Sequence, residues 1–186
     1  GGATYNVALG YKAMEDITSG DYNVCIGSAS GDGITTSQYN TLIGAATGRG
    51  ITTTDTKATA VGYLALNALT TGTGNIAIGD SAGKVITVGS SNTAIGNNAL
   101  LLEVGGGGSV AIGTDCMANQ DGGDTSSSIN NVGVGANAGH YNVTGQYNTY
   151  IGNSAGLGAS GQSNSNNVGV GYQSLLGIRT GSHNVA

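Results

Sequence analysis

Apolar and polar positions alternate in short bursts along the chain, and the bursts recur. The recurring string is Asn, a β-branched residue, a small residue, an aliphatic residue and Gly. It stands at Asn6-Val7-Ala8-Leu9-Gly10, Asn23-Val24-Cys25-Ile26-Gly27, Asn40-Thr41-Leu42-Ile43-Gly44, Asn75-Ile76-Ala77-Ile78-Gly79 and Asn92-Thr93-Ala94-Ile95-Gly96. It returns at Asn131-Val132-Gly133-Val134-Gly135, Asn148-Thr149-Tyr150-Ile151-Gly152 and Asn167-Val168-Gly169-Val170-Gly171. Ala58 and Ser109 replace the Asn in two further copies, and Asn184-Val185-Ala186 opens an eleventh. Successive motif glycines are 17, 17, 18, 17, 17, 17, 22, 17 and 19 residues apart. A period this regular is the signature of stacked repeats. The apolar residues alternate with period two, which predicts a short strand per repeat. The fold class predicted is therefore all-β, a parallel β-solenoid of about ten 17-residue coils forming one unit over residues 1–186.

Each motif position carries a structural expectation. The residues one and three places after the Asn share a strand face. Leu9, Ile26, Ile43, Val61, Ile78, Ile95, Ile112, Val134, Ile151 and Val170 are unbroken in apolar character, which predicts one buried column. The residue between them is Ala or Gly in eight of eleven copies, which predicts an outward face where a second chain approaches closely. Asn tolerates left-handed backbone, and stacked Asn side chains form hydrogen-bonded ladders. The strand-ending Gly permits a turn that other residues resist. A second apolar position follows seven residues after most glycines, at Ile17, Ile34, Ile51, Leu69, Ile86 and Ile178, and predicts two short strands per coil. The longest interval, Gly113 to Gly135, predicts a surface loop at about 119–130, because an insertion cannot enter a stacked ladder.

Composition narrows the class. There are 36 Gly, no Pro, no Phe and no Trp, and only 8% of residues are charged. Glycine without strict three-residue spacing excludes collagen, and the lack of Pro suits a stack whose amides donate to neighbouring coils. No apolar run reaches the roughly 20 residues that span a membrane. The net charge of −5 argues against nucleic acid or an anionic membrane surface as partner. The chain opens and closes inside its repeat, with no initiator Met or signal peptide, and reads as a piece of a longer protein. A thin coil without large aromatic cores leaves little stability margin, so association of chains is expected.

Strings such as Asn92-Thr93-Ala94-Ile95-Gly96-Asn97-Asn98-Ala99-Leu100 and Asn75-Ile76-Ala77-Ile78-Gly79-Asp80-Ser81-Ala82-Gly83 resemble two related groups. One is the head repeat of trimeric autotransporter adhesins, a left-handed parallel β-roll. The other is the shaft and knob repeat of phage tail fibres and fibre-like bacterial surface proteins. The resemblance covers essentially the whole chain. The coil is longer than that of the adhesin head, and the Ala-Leu or Ala-Gly step after the Gly is closer to the tail-fibre type. The resemblance implies a left-handed solenoid in a homotrimeric extracellular fibre that projects towards, or attaches to, a glycan or protein receptor on a cell surface.

Candidate chemistry is sparse. Tyr5, Tyr22 and Tyr39 precede the repeat Asn in successive coils and should stack as a ladder, which covers the turn or contacts glycan. Asp121-Gly122-Gly123-Asp124 lacks the calcium-binding nonapeptide pattern of solenoids and reads as a solvated loop. Gly105 to Gly108 lacks a following Lys and reads as a turn rather than a phosphate cradle. Cys25 and Cys116 lie five coils apart, about 24 Å at the strand spacing. That is too far for a disulfide, so they read as small buried apolar residues. His140 and His183 have no Ser–Asp partner at triad spacing. Asn142-Val143-Thr144 is a formal glycosylation sequon.

Three function classes follow. A structural and adhesive fibre, without enzyme activity, cofactor or metal, fits best. A polysaccharide-cleaving tailspike needs a carboxylate pair in a groove, yet Glu15, Asp16, Asp21, Asp32, Asp55, Asp80, Glu103 and Asp115 scatter over the repeat. An ice-binding solenoid needs Thr at one fixed position, and the position after the Asn mixes Val, Thr and Ile.

Overall fold

A computed structural model describes residues 2–52, 56–123 and 128–186. Asp55 and Asp124 from the sequence reading lie outside the described residues, as does the centre of the long insertion. Ten three-residue strands follow one another: β1 (Val7–Leu9), β2 (Val24–Ile26), β3 (Thr41–Ile43), β4 (Thr59–Val61) and β5 (Ile76–Ile78). β6 (Thr93–Ile95), β7 (Val110–Ile112), β8 (Val132–Val134), β9 (Thr149–Ile151) and β10 (Val168–Val170) complete the series. They form one parallel sheet in sequence order. Motif residue pairs with motif residue throughout, as in Thr93↔Val110, Ala94↔Ala111 and Ile95↔Ile112. The chain is a β-solenoid.

Among the described residues each coil carries one strand, not the two expected. Ile34, Ile51, Leu69 and Ile86 do line the core, but they sit in bends. Two positions nearby adopt left-handed backbone, as Leu64 (φ 57°) and Leu66 (φ 48°) do in the coil after β4. Such residues turn the chain before a second extended run can form.

The strand faces are the reverse of the sequence expectation. The middle residues point inward: Cys25, Leu42, Ala60, Ala77 and Ala111 are wholly buried. The column from Leu9 to Val170 is outward, with Leu9 65%, Ile78 39%, Ile112 37%, Ile151 40% and Val170 57% exposed. Two things are corrected together: this column is not the core, and the Ala/Gly face cannot be a contact between chains.

The reason is volume. The coil is thin, and the residue four places after the motif Gly also points into it. Where that residue is Leu66, Leu100 or Met117, the strand centre is Ala60, Ala94 or Ala111, and all are buried. Where the strand centre is larger, at Cys25, Leu42 and Tyr150, the partner position is Gly31, Gly48 or Gly156. A Cβ on Gly48 would lie 2.8 Å from Leu42 Cδ1, and one on Gly156 would enter the Tyr150 ring. Interiors pack at crystal-like density, so one coil cross-section holds at most one large side chain at this pair of positions.

Two columns hold the stack together. The repeat Asn residues from Asn23 to Asn167 are buried and bonded to neighbouring coils. Asn92 Oδ1 accepts the Ser109 amide at 3.0 Å, and Asn92 Nδ2 donates to the Gly106 carbonyl at 2.8 Å. The same pair of bonds recurs at Asn75, with the Asn92 amide and the Gly89 carbonyl. The Asn ladder is therefore present, although the left-handed residue is the one before the Asn: Tyr5, Tyr22, Tyr39, Ser91 and Tyr147 have φ between 57° and 60°. The motif glycines form the second column. Gly96 has φ +131°, and a Cβ there would stand 2.5 Å from the Gly113 carbonyl oxygen of the next coil.

Candidate functional site

The outward sheet face runs along all ten strands. It has two columns, one beginning at Val7 and one at Leu9, with two positions on each of ten strands. Val, Ile or Thr fills every position except Leu9. No position is charged. β-branched side chains suit an extended backbone, which explains the residue type but not the lack of charge. At about 4.8 Å per strand the stripe runs for roughly 43 Å, and contiguous exposed apolar surface of this kind marks an interaction face.

The tyrosines occupy a corner beside this face. Tyr5 and Tyr22 stack with centroids 4.9 Å apart and planes 7° from parallel. Tyr22 and Tyr39 stack at 5.3 Å and 4°. All three are exposed, and Lys57 holds the same position in the next coil. The predicted ladder is thus formed. Because each ring covers the face of its neighbour, ring edges and hydroxyls are what the ladder offers to a ligand.

Inside the stack is a polar segment that the repeat analysis missed. Glu103, Gln120 and Asn142 stand where earlier coils place Ile, seven residues after the motif Gly, and all three are buried. Glu103 Oε1 accepts the amides of Gly106 (2.5 Å) and Gly122 (3.0 Å), and its Oε2 accepts Gln120 Nε2 (2.9 Å). Gln120 Nε2 also donates to Ser109 Oγ at 2.9 Å, and Gln120 Oε1 accepts Asn131 Nδ2 at 2.8 Å. Gly105 to Gly108 serves this network: a Cβ on Gly106 would meet Glu103 Oε1 and Ile129 at 2.6 Å. The break in the Ile column at 103, 120 and 142 was the available signal. It coincides with the long insertion, whose flanks are tied down: Gln120 and Ile129 are buried, and the Ile129 amide donates to the Gly107 carbonyl. Of the predicted loop at about 119–130, Asn119, Asp121, Ile129 and Asn130 donate their amides to neighbouring coils, and 124–127 lie outside the described residues.

The remaining candidates fall apart from one another. Cys25 and Cys116 are free and buried, and burial pushes both thiols up to about 12. His140 Nδ1 bonds the Asp115 carbonyl at 2.9 Å, while His183 lies exposed beside Ser182. Asp121 Oδ1 accepts the Gly123 amide. Asn142 of the sequon is buried, with its Oδ1 accepting the Asn164 amide, so a glycan cannot be attached to the folded coil there. Among the described residues no cavity is present, and no three His, Cys, Asp or Glu side chains gather as metal ligands. No helix among them is long and apolar enough to cross a membrane. No family model, curated protein or solved structure matches this chain.

Proposed function

We propose that the chain is a segment of an extracellular fibre, structural and adhesive in role, in which copies of the chain lie side by side through the outward aliphatic face. The observation that carries this reading is that face: two uncharged columns running the length of a ten-coil rod. Its occupant is a second copy of the same solenoid, because only a partner with the same coil spacing matches the stripe along its whole length.

The energetics favour this. Full burial of one aliphatic side chain is worth ~1.5–3 kcal/mol. Covering the exposed fraction of the sixteen aliphatic residues of the face returns roughly 10–20 kcal/mol, comparable to or above the ~4–15 kcal/mol that association costs. The resemblance to trimeric fibres makes three the number of chains. Attachment to a cell-surface glycan or protein falls to surfaces outside the interface, with the edge of the Tyr5, Tyr22 and Tyr39 ladder as the candidate contact. The column that an ice-binding reading needs is outward too, but Thr stands on only four of its strands, at Thr41, Thr59, Thr93 and Thr149.

Sedimentation velocity combined with small-angle scattering tests the proposal. The expected particle is elongated, with a mass that is a small multiple of the 18.1 kDa chain. A monomer at tens of micromolar protein would contradict it.

A further inference from the structure

We propose that Tyr5, Tyr22 and Tyr39 form an oxidative cross-linking site, at which a peroxide-driven one-electron oxidant joins neighbouring rings and staples the coils of β1, β2 and β3 covalently. The proposal rests on the ladder alone and stands or falls separately from the fibre reading.

The geometry selects these three rings. They are held parallel at 4.9 and 5.3 Å, so corresponding ring carbons of neighbours face each other one coil apart. All three are exposed, within reach of an oxidant and free to tilt. No other tyrosine has a tyrosine beside it in an adjacent coil, and the ring beside Tyr141 is that of His140, edge-on. Tyr147 is flanked in its column by Asn130 and Asn166, Tyr63 by Ala45 and Asp80, Tyr11 by Ser28, and Tyr172 by Asn153. Tyr150 is buried with its hydroxyl donating to Asn164.

The chemistry balances with a named co-reactant. Each phenol gives up one electron and one proton and becomes a phenoxyl radical, whose spin resides partly on the ortho carbons. Two adjacent radicals combine through one ortho carbon each. The coupled rings then regain aromaticity by moving the two ortho hydrogens to the oxygens. Two phenols thus become one biphenol, with loss of two protons and two electrons. Hydrogen peroxide, acting through a haem peroxidase, takes those electrons and protons and becomes two waters. Tyr22 can couple in either direction. Because the coil stack supplies the partner at fixed short range, coupling within one chain outruns encounter between chains in dilute solution.

The test uses the whole chain at low micromolar concentration with horseradish peroxidase and hydrogen peroxide. Expected are dityrosine fluorescence unchanged per mole on tenfold dilution, and a denatured mass of one chain less two hydrogens. Peptide mapping should show Tyr5 joined to Tyr22, or Tyr22 to Tyr39. Tyr22→Phe keeps a ring in the stack but removes both adjacent phenol pairs, and should lower the yield at least fivefold. Tyr5→Phe combined with Tyr39→Phe should do the same by a separate route, while Tyr147→Phe should leave the yield unchanged. Covalent dimers on a denaturing gel as the main product, or full yield from both ladder variants, would overturn the proposal.

Discussion

Asn heads all but two of the repeats and ties neighbouring coils together. It is buried, and its single amide group bridges two coils by accepting one backbone amide and donating to one carbonyl. Groups buried in this way cost ~1–3 kcal/mol each if left unpaired, so the residue fixes the register of the stack. The two repeats without Asn keep the accepting site occupied from the coil before: the Ala58 amide donates to Asn40 and the Ser109 amide to Asn92. Buried thiols give the residue scale its pH dependence. Burial raises Cys25 and Cys116 from 9.0 to about 12, so the folded state holds them as neutral thiols. Their contribution is fully present below pH 9, where the unfolded thiols are also neutral. It is lost as pH rises from about 9 to about 12, at ~1.4 kcal/mol per unit and thiol. The melting temperature should therefore fall steeply above pH 9, and the Cys25→Ala/Cys116→Ala variant should show a shallower fall. Identical alkaline profiles would mean that the thiols ionise equally in both states.

At the scale of a coil, no cross-section holds two large side chains at the strand centre and its partner position; most pair one large with one small, while Ala77 with Gly83 and Gly133 with Gly139 are small at both. Leu42 with Gly48 and Ala60 with Leu66 are the two arrangements of the same space. Leu42→Ala alone should destabilise by ~2–5 kcal/mol through its cavity. Gly48→Leu alone adds overpacking, ~1–3 kcal/mol, and further strain because φ at Gly48 is +56°. Chemical denaturation of the pair should show coupling of at least ~1 kcal/mol, with the double substitution better than the sum of the singles; strict additivity would refute the shared-volume account. This scale is also where sequence and structure part. Alternation within each motif reveals a strand, but two apolar residues on one face look like the inside whichever way the strand turns. The deciding clue lies outside the motif, in the reciprocal sizes of residues 42 and 48, 60 and 66, and 150 and 156. The Asn ladder and the tyrosine stack were legible because each follows from one residue type recurring at the coil period. Glu103 was not, because its partners are backbone amides of Gly106 and Gly122, which the repeat pattern does not single out.

For the whole molecule, the period of the motif glycines was enough to establish a solenoid with in-register parallel strands. The surface was not legible in the same way, since which columns face solvent depends on the interior volume just described. With the faces placed, mostly small strand centres point inside, beside the large side chains of the bends, and aliphatic residues cover one outer side along the rod. Two adjacent residues of β6 separate this arrangement from its reverse. Ala94 is 1% exposed, whereas Ile95 is partly exposed on the aliphatic face. Thermal melting followed by circular dichroism should be measured on Ala94→Lys and Ile95→Lys. The account predicts that Ala94→Lys loses the cooperative transition, because a charge without a partner inside the coil costs several kcal/mol. Ile95→Lys should keep its strand signal and melt cooperatively. The opposite pair of results, with Ala94→Lys folded and Ile95→Lys unfolded, would contradict the placement of the faces and with it the proposed interface.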